Sequence, residues 1–157
     1  MITIHEAIFS DVASLITLNS EVQSLHIDIA PNVFCEVKRE EVSKWFETLI
    51  EDNNTQLYVA KNNINILGYL INQIIKRPSN PFMLQQYFAY IDHVCVSSEH
   101  RGKGIGRKLM STAIDFAKVN EISRLELDVW TENINAINAY KKIGFKASRE
   151  KLIYKIE

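Results

Sequence analysis

The residues whose types and spacing could do chemistry crowd into one window. Gly102, Gly104 and Gly106 are three of the chain's five glycines, and Arg101, Lys103, Arg107 and Lys108 put four positive charges into eight residues with no acid among them. Glycine lets backbone amides approach a ligand with no Cβ in the way. A helix that begins inside such a window presents unpaired N–H groups and a partial positive charge, which suits an anion such as pyrophosphate. The plain alternative is a tight strand-to-helix turn with solvated basic side chains. A P-loop would need GxxxxGK followed by Ser or Thr, and the chain has no such run. A dinucleotide fingerprint needs GxGxxG directly after its strand, whereas here GxGxG stands about five residues beyond Val96. Glu126 lies near the place of a ribose-binding acid, which is only a partial match to that fingerprint.

The hydropathy pattern outlines the elements that must hold this window. Residues 2–8 alternate as a short first strand, and Ser10 or Asp11 can cap a helix running to about Val22 with Val12, Leu15, Ile16 and Leu18 on its apolar side. Pro31 breaks the chain, and a second helix is expected from about Glu36 to Glu51, burying Val42, Trp45, Phe46 and Leu49. The period then shortens. Gln56–Lys61 and Ile64–Ile75 read as strands joined at Asn62-Asn63, a pair that tolerates the positive φ of a tight hairpin. Lys76 to about Gln85, with Pro78 and Pro81, is a loop, and Tyr87–Ser97 is the next strand. A helix is expected over 104–119 with Ile105, Leu109, Ala113 and Phe116 as its stripe, then a strand over Leu125–Trp130. A last helix covers 134–143 and is closed by Gly144, with strands at Phe145–Ala147 and Glu150–Ile156. Hairpin strands followed by one strand–helix–strand unit imply a mixed α/β sheet and oppose a doubly wound parallel fold.

Composition narrows the classes further. A chain of 157 residues, 46 % hydrophobic and 24 % charged, reads as a single globular domain over 1–157. A net charge of −1 gives no global pull toward nucleic acid or an anionic membrane. Cys35 and Cys95 form no CxxC pair, which excludes a disulfide framework or zinc ribbon and fits two reduced thiols in a cytoplasmic protein. The four histidines and two cysteines show no metal-ligand spacing. The first residues lack a basic region and carry Glu6 and Asp11, so no signal peptide is expected. No apolar stretch approaches the roughly 20 residues of a membrane span.

The run Arg101-Gly102-Lys103-Gly104-Ile105-Gly106 reads RxxGxG, preceded by Val94-Cys95-Val96. Downstream come Leu125, Leu127 and Val129, then Asn133, Ala136, Tyr140 and Gly144-Phe145 as NxxAxxxY…GF. Over about residues 89–145 the chain therefore resembles the GNAT N-acetyltransferase superfamily. Before that the similarity lies mostly in element order, although Leu25-His26 through Pro31 to Phe34 is similar to an acceptor-side segment of some bacterial members. The resemblance implies an α/β (α+β) fold with a mixed, mostly antiparallel twisted sheet of about six or seven strands flanked by about four helices, its fourth and fifth strands splayed. It implies acetyl-CoA as co-substrate, with no metal, and a primary amine on a small molecule, peptide or protein as acceptor. Nucleic acid and membrane partners are not expected, and homodimerisation stays open.

Carried over by residue, the edge near Val94, Cys95 and Val96 would take the pantetheine arm. The loop from Arg101 through Gly102, Lys103, Gly104, Ile105 and Gly106 to Arg107 would hold the pyrophosphate. Asn133 would bond the pantetheine or cap its helix. A lysine-like amine, with a free pKa of about 10.4, must lose a proton before attack. Asp92 is the first choice of base and His93 the alternative, against a solvated aspartate and a core histidine. A backbone N–H near Val94 or Cys95 would stabilise the oxyanion. Tyr140 matches the tyrosine that protonates the departing thiolate, against simple core packing. Cys95 as a nucleophile is the weaker reading, since a buried thiol is usually an inert hydrophobe. Strict alternation puts Tyr90, Asp92, Val94 and Val96 on one strand face and Ile91, His93 and Cys95 on the other. The acceptor pocket is expected between residues 22–34 and the loop 76–86, with His26, Asp28, Phe34, Phe82 and Tyr87 as lining. A different class, a sensor that binds acetyl-CoA without transferring its acetyl group, shares the same loop.

Overall fold

The computed structural model of the chain describes residues 1–156. Its elements run β1 (Thr3–Glu6), α1 (Val12–Ile29), α2 (Arg39–Glu51), β2 (Thr55–Lys61), β3 (Ile66–Arg77), β4 (Gln86–Val96), α3 (Ile105–Val119), β5 (Leu125–Leu127) and α4 (Ile134–Ile143). The five strands form one sheet in chain order, antiparallel from β1 to β4 and parallel between β4 and β5. This is the mixed α/β sheet that the hydropathy pattern predicts.

Each face of the sheet is covered by helices, because each presents an apolar row. On one face Leu15 and Leu18 of α1 and Val42, Phe46 and Leu49 of α2 pack over Leu57, Val59, Tyr69, Ile71 and Cys95. On the other, Ile105, Leu109, Met110 and Ala113 of α3 pack over Tyr58, Ala60, Leu70 and Ile91. Tyr140 and Ile143 of α4 and Phe145 close the edge of that second cluster. Each large side chain buried in these layers contributes about 1.5–3 kcal/mol. The start of α1 is tied to the sheet by buried Asp11, whose carboxylate accepts from Lys61 Nζ at 2.7 Å and from the Ile8 amide at 3.0 Å.

Several expected boundaries shift. The sheet has five strands among the described residues, fewer than the six or seven expected, and residues 145–156 contain none. Strand propensity needs a partner edge to become a ladder, and β5 is only three residues long, ending at Leu127 well before Trp130. Leu152, Ile153, Tyr154 and Ile156 are accordingly exposed. Helix α1 continues to Ile29, past the expected Val22, and stops one residue short of Pro31, while α2 starts at Arg39 and not at Glu36. The β2–β3 turn does not use positive φ at Asn62 or Asn63. Instead Asn62 Oδ1 accepts from the amides of Ile64 and Asn65, at 2.9 and 2.7 Å, so the side chain closes the turn.

Two local features position the site. In β4, Ile71 pairs with His93 and Asn72 with Ile91, leaving Asp92 as the extra residue of a β-bulge. The β4–β5 ladder holds only from Ala89–Leu125 to Ile91–Leu127, so β4 runs on from Asp92 to Val96 with that edge unpaired. A splay is expected between the fourth and fifth strands, and their pairing ends there after three residue pairs. The bulge also overturns strict alternation: Ile91 joins Val94 and Val96 in the α3-side cluster, while Cys95 packs on the α1–α2 side.

Candidate active site

Beyond Val96 a short turn at Ser98–His100 leads into the glycine window. Gly102 (φ 77°) and Gly104 (φ 81°) adopt the left-handed conformation, and Gly104 is the N-cap of α3. A Cβ on either would meet nothing within 4 Å, so their outer side is open. Gly106 differs: its backbone is ordinary helix and an added Cβ would only touch Val96 Cγ2 at 3.7 Å. The first bond into α3 is Lys108 N–H to Gly104 O at 3.1 Å, and no backbone N–H of residues 101–107 finds a protein acceptor among the described residues. A run of free amides at a helix start is the kind of geometry that suits an anion.

Not all of the surrounding cations are free to join it. Arg101 Nε donates to Val96 O at 3.1 Å, and its guanidinium lies 3.9 Å from Glu21. Glu21 also accepts from the Ser98 amide at 2.8 Å, so the pair ties the loop to α1. Lys103 Nζ donates to Glu99 O at 3.0 Å and Lys108 Nζ to Ile2 O at 3.3 Å. Arg107 is exposed on the first turn of α3.

The other predicted residues fall on both sides of β4. Asp92 is exposed at the bulge, where the free edge begins. Val94 and Val96 lie in the same cluster as Tyr140. Tyr140 is partly buried on α4, 6.0 Å from the Phe145 ring between centroids, and burial raises its pKa, keeping the phenol protonated. Asn133 caps α4, its side chain accepting from the Ala136 amide at 3.2 Å, and Gly144 (φ 118°) closes the helix. Cys95 points the other way: its thiol donates to Leu18 O at 3.3 Å, and burial pushes its pKa up to about 12. It is a core thiol, and the nucleophile reading fails on that geometry.

The side where an acceptor is expected carries mainly aromatic rings. His26 stacks on Phe34 at 4.7 Å between centroids, and Phe34 meets Trp130 edge-on at 5.8 Å. Trp45 lies 5.2 Å from His93, and His93 stacks on Tyr69. A cavity of about 260 Å³ opens there, lined by Asn19, Gln23, Val37, Glu41, Val42, Trp45 and His93. Tyr90 donates to Asp128 at 3.1 Å, spanning from β4 to the segment after β5. Of the segment 22–34, Gln23 lines this cavity, while His26 and Phe34 form the stack that meets Trp130. The loop 78–85 lies elsewhere, because it precedes Gln86 at the opposite end of β4 from Val94–Val96, with Phe82 96 % exposed. Trp45, read from its periodicity as core, and Asn19, Gln23, Tyr69 and Trp130 carried no local signal of a site. A larger groove of about 530 Å³ between α1 and α2 includes none of the predicted residues.

An open mixed sheet whose β4–β5 ladder is short, followed by a glycine-rich loop at the start of the next helix, defines the α/β class of this protein. The chain belongs to the acetyltransferase (GNAT) family, whose pattern matches residues 20–145. It is 47 % identical over 55 residues to a streptothricin acetyltransferase of Streptomyces lavendulae, covering 35 % of this chain and 29 % of that protein. Over 100 residues it is 28 % identical to N-acetyltransferase 8B of Rattus norvegicus, covering 64 % of this chain and 43 % of the relative. The chain thus spans less than half the length of these curated relatives. A tetramutant of the BH1408 protein from Bacillus halodurans superposes with a TM-score of 0.93 over 98 % of this chain and 99 % of that one. At 23 % identity that likeness speaks for the fold alone. Among the described residues no group of three His, Cys, Asp or Glu could hold a metal ion, and no helix is long and apolar enough to cross a membrane.

Proposed function

We propose that this protein transfers the acetyl group of acetyl-CoA directly to a primary amine. The observation that carries this reading is the row of unpartnered amides over residues 101–107, set at the end of the β4 edge that β5 leaves free. That edge suits the amide-rich pantetheine arm, which pairs as an added strand does, and the loop suits the pyrophosphate. Arg107, one of the exposed cations of the window, supplements the amides.

Asp92 takes the proton from the amine as its nitrogen attacks the thioester carbonyl. Its place at the bulge supports this, because a bulge re-aims a side chain beside the opened edge. The new C–N bond leaves a tetrahedral oxyanion, for which a backbone N–H at Val94 or Cys95 is the donor. Collapse breaks the C–S bond, and the CoA thiolate takes its proton from Tyr140, whose raised pKa keeps it in the acid form. A cytoplasmic setting goes with this reading, supported by two free cysteines.

An acetyl-CoA-dependent thiol-release assay over small amines, polyamines, aminoglycosides and peptides tests the reaction. Tyr140→Phe is expected to lower kcat about 100-fold while calorimetric affinity for acetyl-CoA changes little. Unchanged turnover, or lost affinity, defeats the acid assignment. Acetyl-CoA binding with no thiol release for any amine would replace transfer by a non-catalytic sensor.

A further inference from the structure

Asn19, Tyr69 and His93 come from α1, β3 and β4 and meet in one hydrogen-bonded row. Asn19 Nδ2 donates to the Tyr69 hydroxyl oxygen at 2.9 Å, and that hydroxyl lies 3.5 Å from His93 Nδ1. Tyr69 is fully buried, so its O–H proton cannot turn to solvent. A buried hydroxyl that goes unsatisfied costs about 1–3 kcal/mol. With Asn19 supplying a hydrogen to the oxygen, the acceptor left for the Tyr69 proton is His93 Nδ1. A neutral imidazole that accepts at one nitrogen carries its hydrogen on the other. A His93 that accepts in this way would bear Nε2–H, and its ring lines the 260 Å³ cavity beside Trp45 and Val42.

We infer that His93 is a hydrogen-bond donor held in one tautomer, which selects amine acceptors carrying a hydrogen-bond-accepting oxygen a few bonds from the amino group. The inference rests on the proposed acetyl transfer for its acceptor, though the tautomer itself does not. His93 precedes Val94, the proposed oxyanion donor, and one residue of strand spans about 3.3 Å. An amine attacking beside Val94 thus brings its nearest substituents to the imidazole. When substrate closes the cavity, a donor walled by Trp45 and Val42 loses water. It must then find an oxygen on the ligand or go unpaired. Sites built around such a donor reject analogues that lack the partner. The same row argues against His93 as the base. Its Nδ1 lone pair is engaged, and burial, outweighing the opposing charge of nearby Asp92, holds the imidazole neutral, with His26 adding to the effect. The chemical class is an α-amino acyl amine, whether a free amino acid or a peptide-like amide.

Imidazole ¹⁵N NMR at pH 7.5 reads the tautomer without turnover. Nε2–H at His93 is expected in the wild type and loss of the single tautomer in Tyr69→Phe; an Nδ1–H or imidazolium His93 in the wild type overturns the inference. For selectivity, L-leucinamide is compared with 3-methylbutylamine, the same amine without its carbonyl, and with L-leucine, whose carboxylate marks the free amino acid. Leucinamide or leucine is expected to exceed 3-methylbutylamine at least tenfold in kcat/KM, and whichever of the two leads identifies the source. His93→Gln, which places an N–H near the Nε2 position, keeps the preference, while His93→Asn and His93→Phe lose it. A ratio near one in the wild type, or a ratio unmoved in His93→Phe, overturns the inference. If no amine is turned over, transfer fails as the function. Titration of the His93 Nε2–H resonance then decides: a shift with leucinamide but not 3-methylbutylamine upholds recognition, and equal or absent shifts end it.

Discussion

Cys35 and Cys95 show how environment separates two identical side chains. Cys35 is exposed, whereas Cys95 is buried, donates to Leu18 O and has its pKa raised to about 12 by burial. Alkylation requires the thiolate. Iodoacetamide at pH 8 is therefore expected to label Cys35 in the native protein and Cys95 only after denaturation, as peptide mass mapping would read. Native labelling of Cys95 would contradict its place against α1. Burial acts in the same direction at Tyr140, raising its pKa and favouring the protonated phenol.

At the scale of elements, β3 and β4 approach closely where the site begins. A Cβ on Gly68 would stand 2.6 Å from the backbone oxygen of Cys95 and 3.3 Å from Val96 Cα. The obstruction is backbone, so no side chain can rotate aside to relieve it. Gly68→Ala should cost about 1–3 kcal/mol, seen as a lower urea midpoint, and should weaken acetyl-CoA binding by shifting the β4 edge. An unchanged midpoint would mean that the strands separate there freely. An isolated glycine within a strand pattern is the one local signal for this contact, and its meaning depends on which strand lies opposite.

For the whole molecule, pH acts in part through two partly buried histidines. His26 and His93 both have pKa values lowered from 6.5 by burial. Between their folded values and 6.5 the unfolded chain binds more protons than the folded one, so stability rises with pH in that window. This contribution is complete above about 6.5 and is lost as the solution is acidified toward the folded values. Thermal melts are expected to show Tm falling from pH 7.5 to 5.5, with a shallower fall in His93→Gln. A Tm that rises on acidification would remove the buried-neutral description of these rings.

The features legible in the sequence are those set over a few residues. The left-handed glycines of the loop, the start of α3 at Gly104, the Asn133 cap and the Gly144 stop depend on local backbone preference and helical spacing. The identity of the loop and the placement of Tyr140 on α4 follow from them. Partners distant in the chain were decided by packing alone. Asn19 meets Tyr69 across 50 positions and Tyr69 meets His93 across 24, contacts to which no periodicity points. The bulge at Asp92 likewise arises from the β3–β4 register, so alternation read along β4 by itself assigns Ile91 to the wrong face. The sequence by itself determined the glycine-rich, cationic window at the start of α3. Only the tertiary structure decided that Asn19, Tyr69 and His93 meet and that His93 lies beside Trp45, because those contacts belong to side chains that share a neighbourhood without sharing a segment.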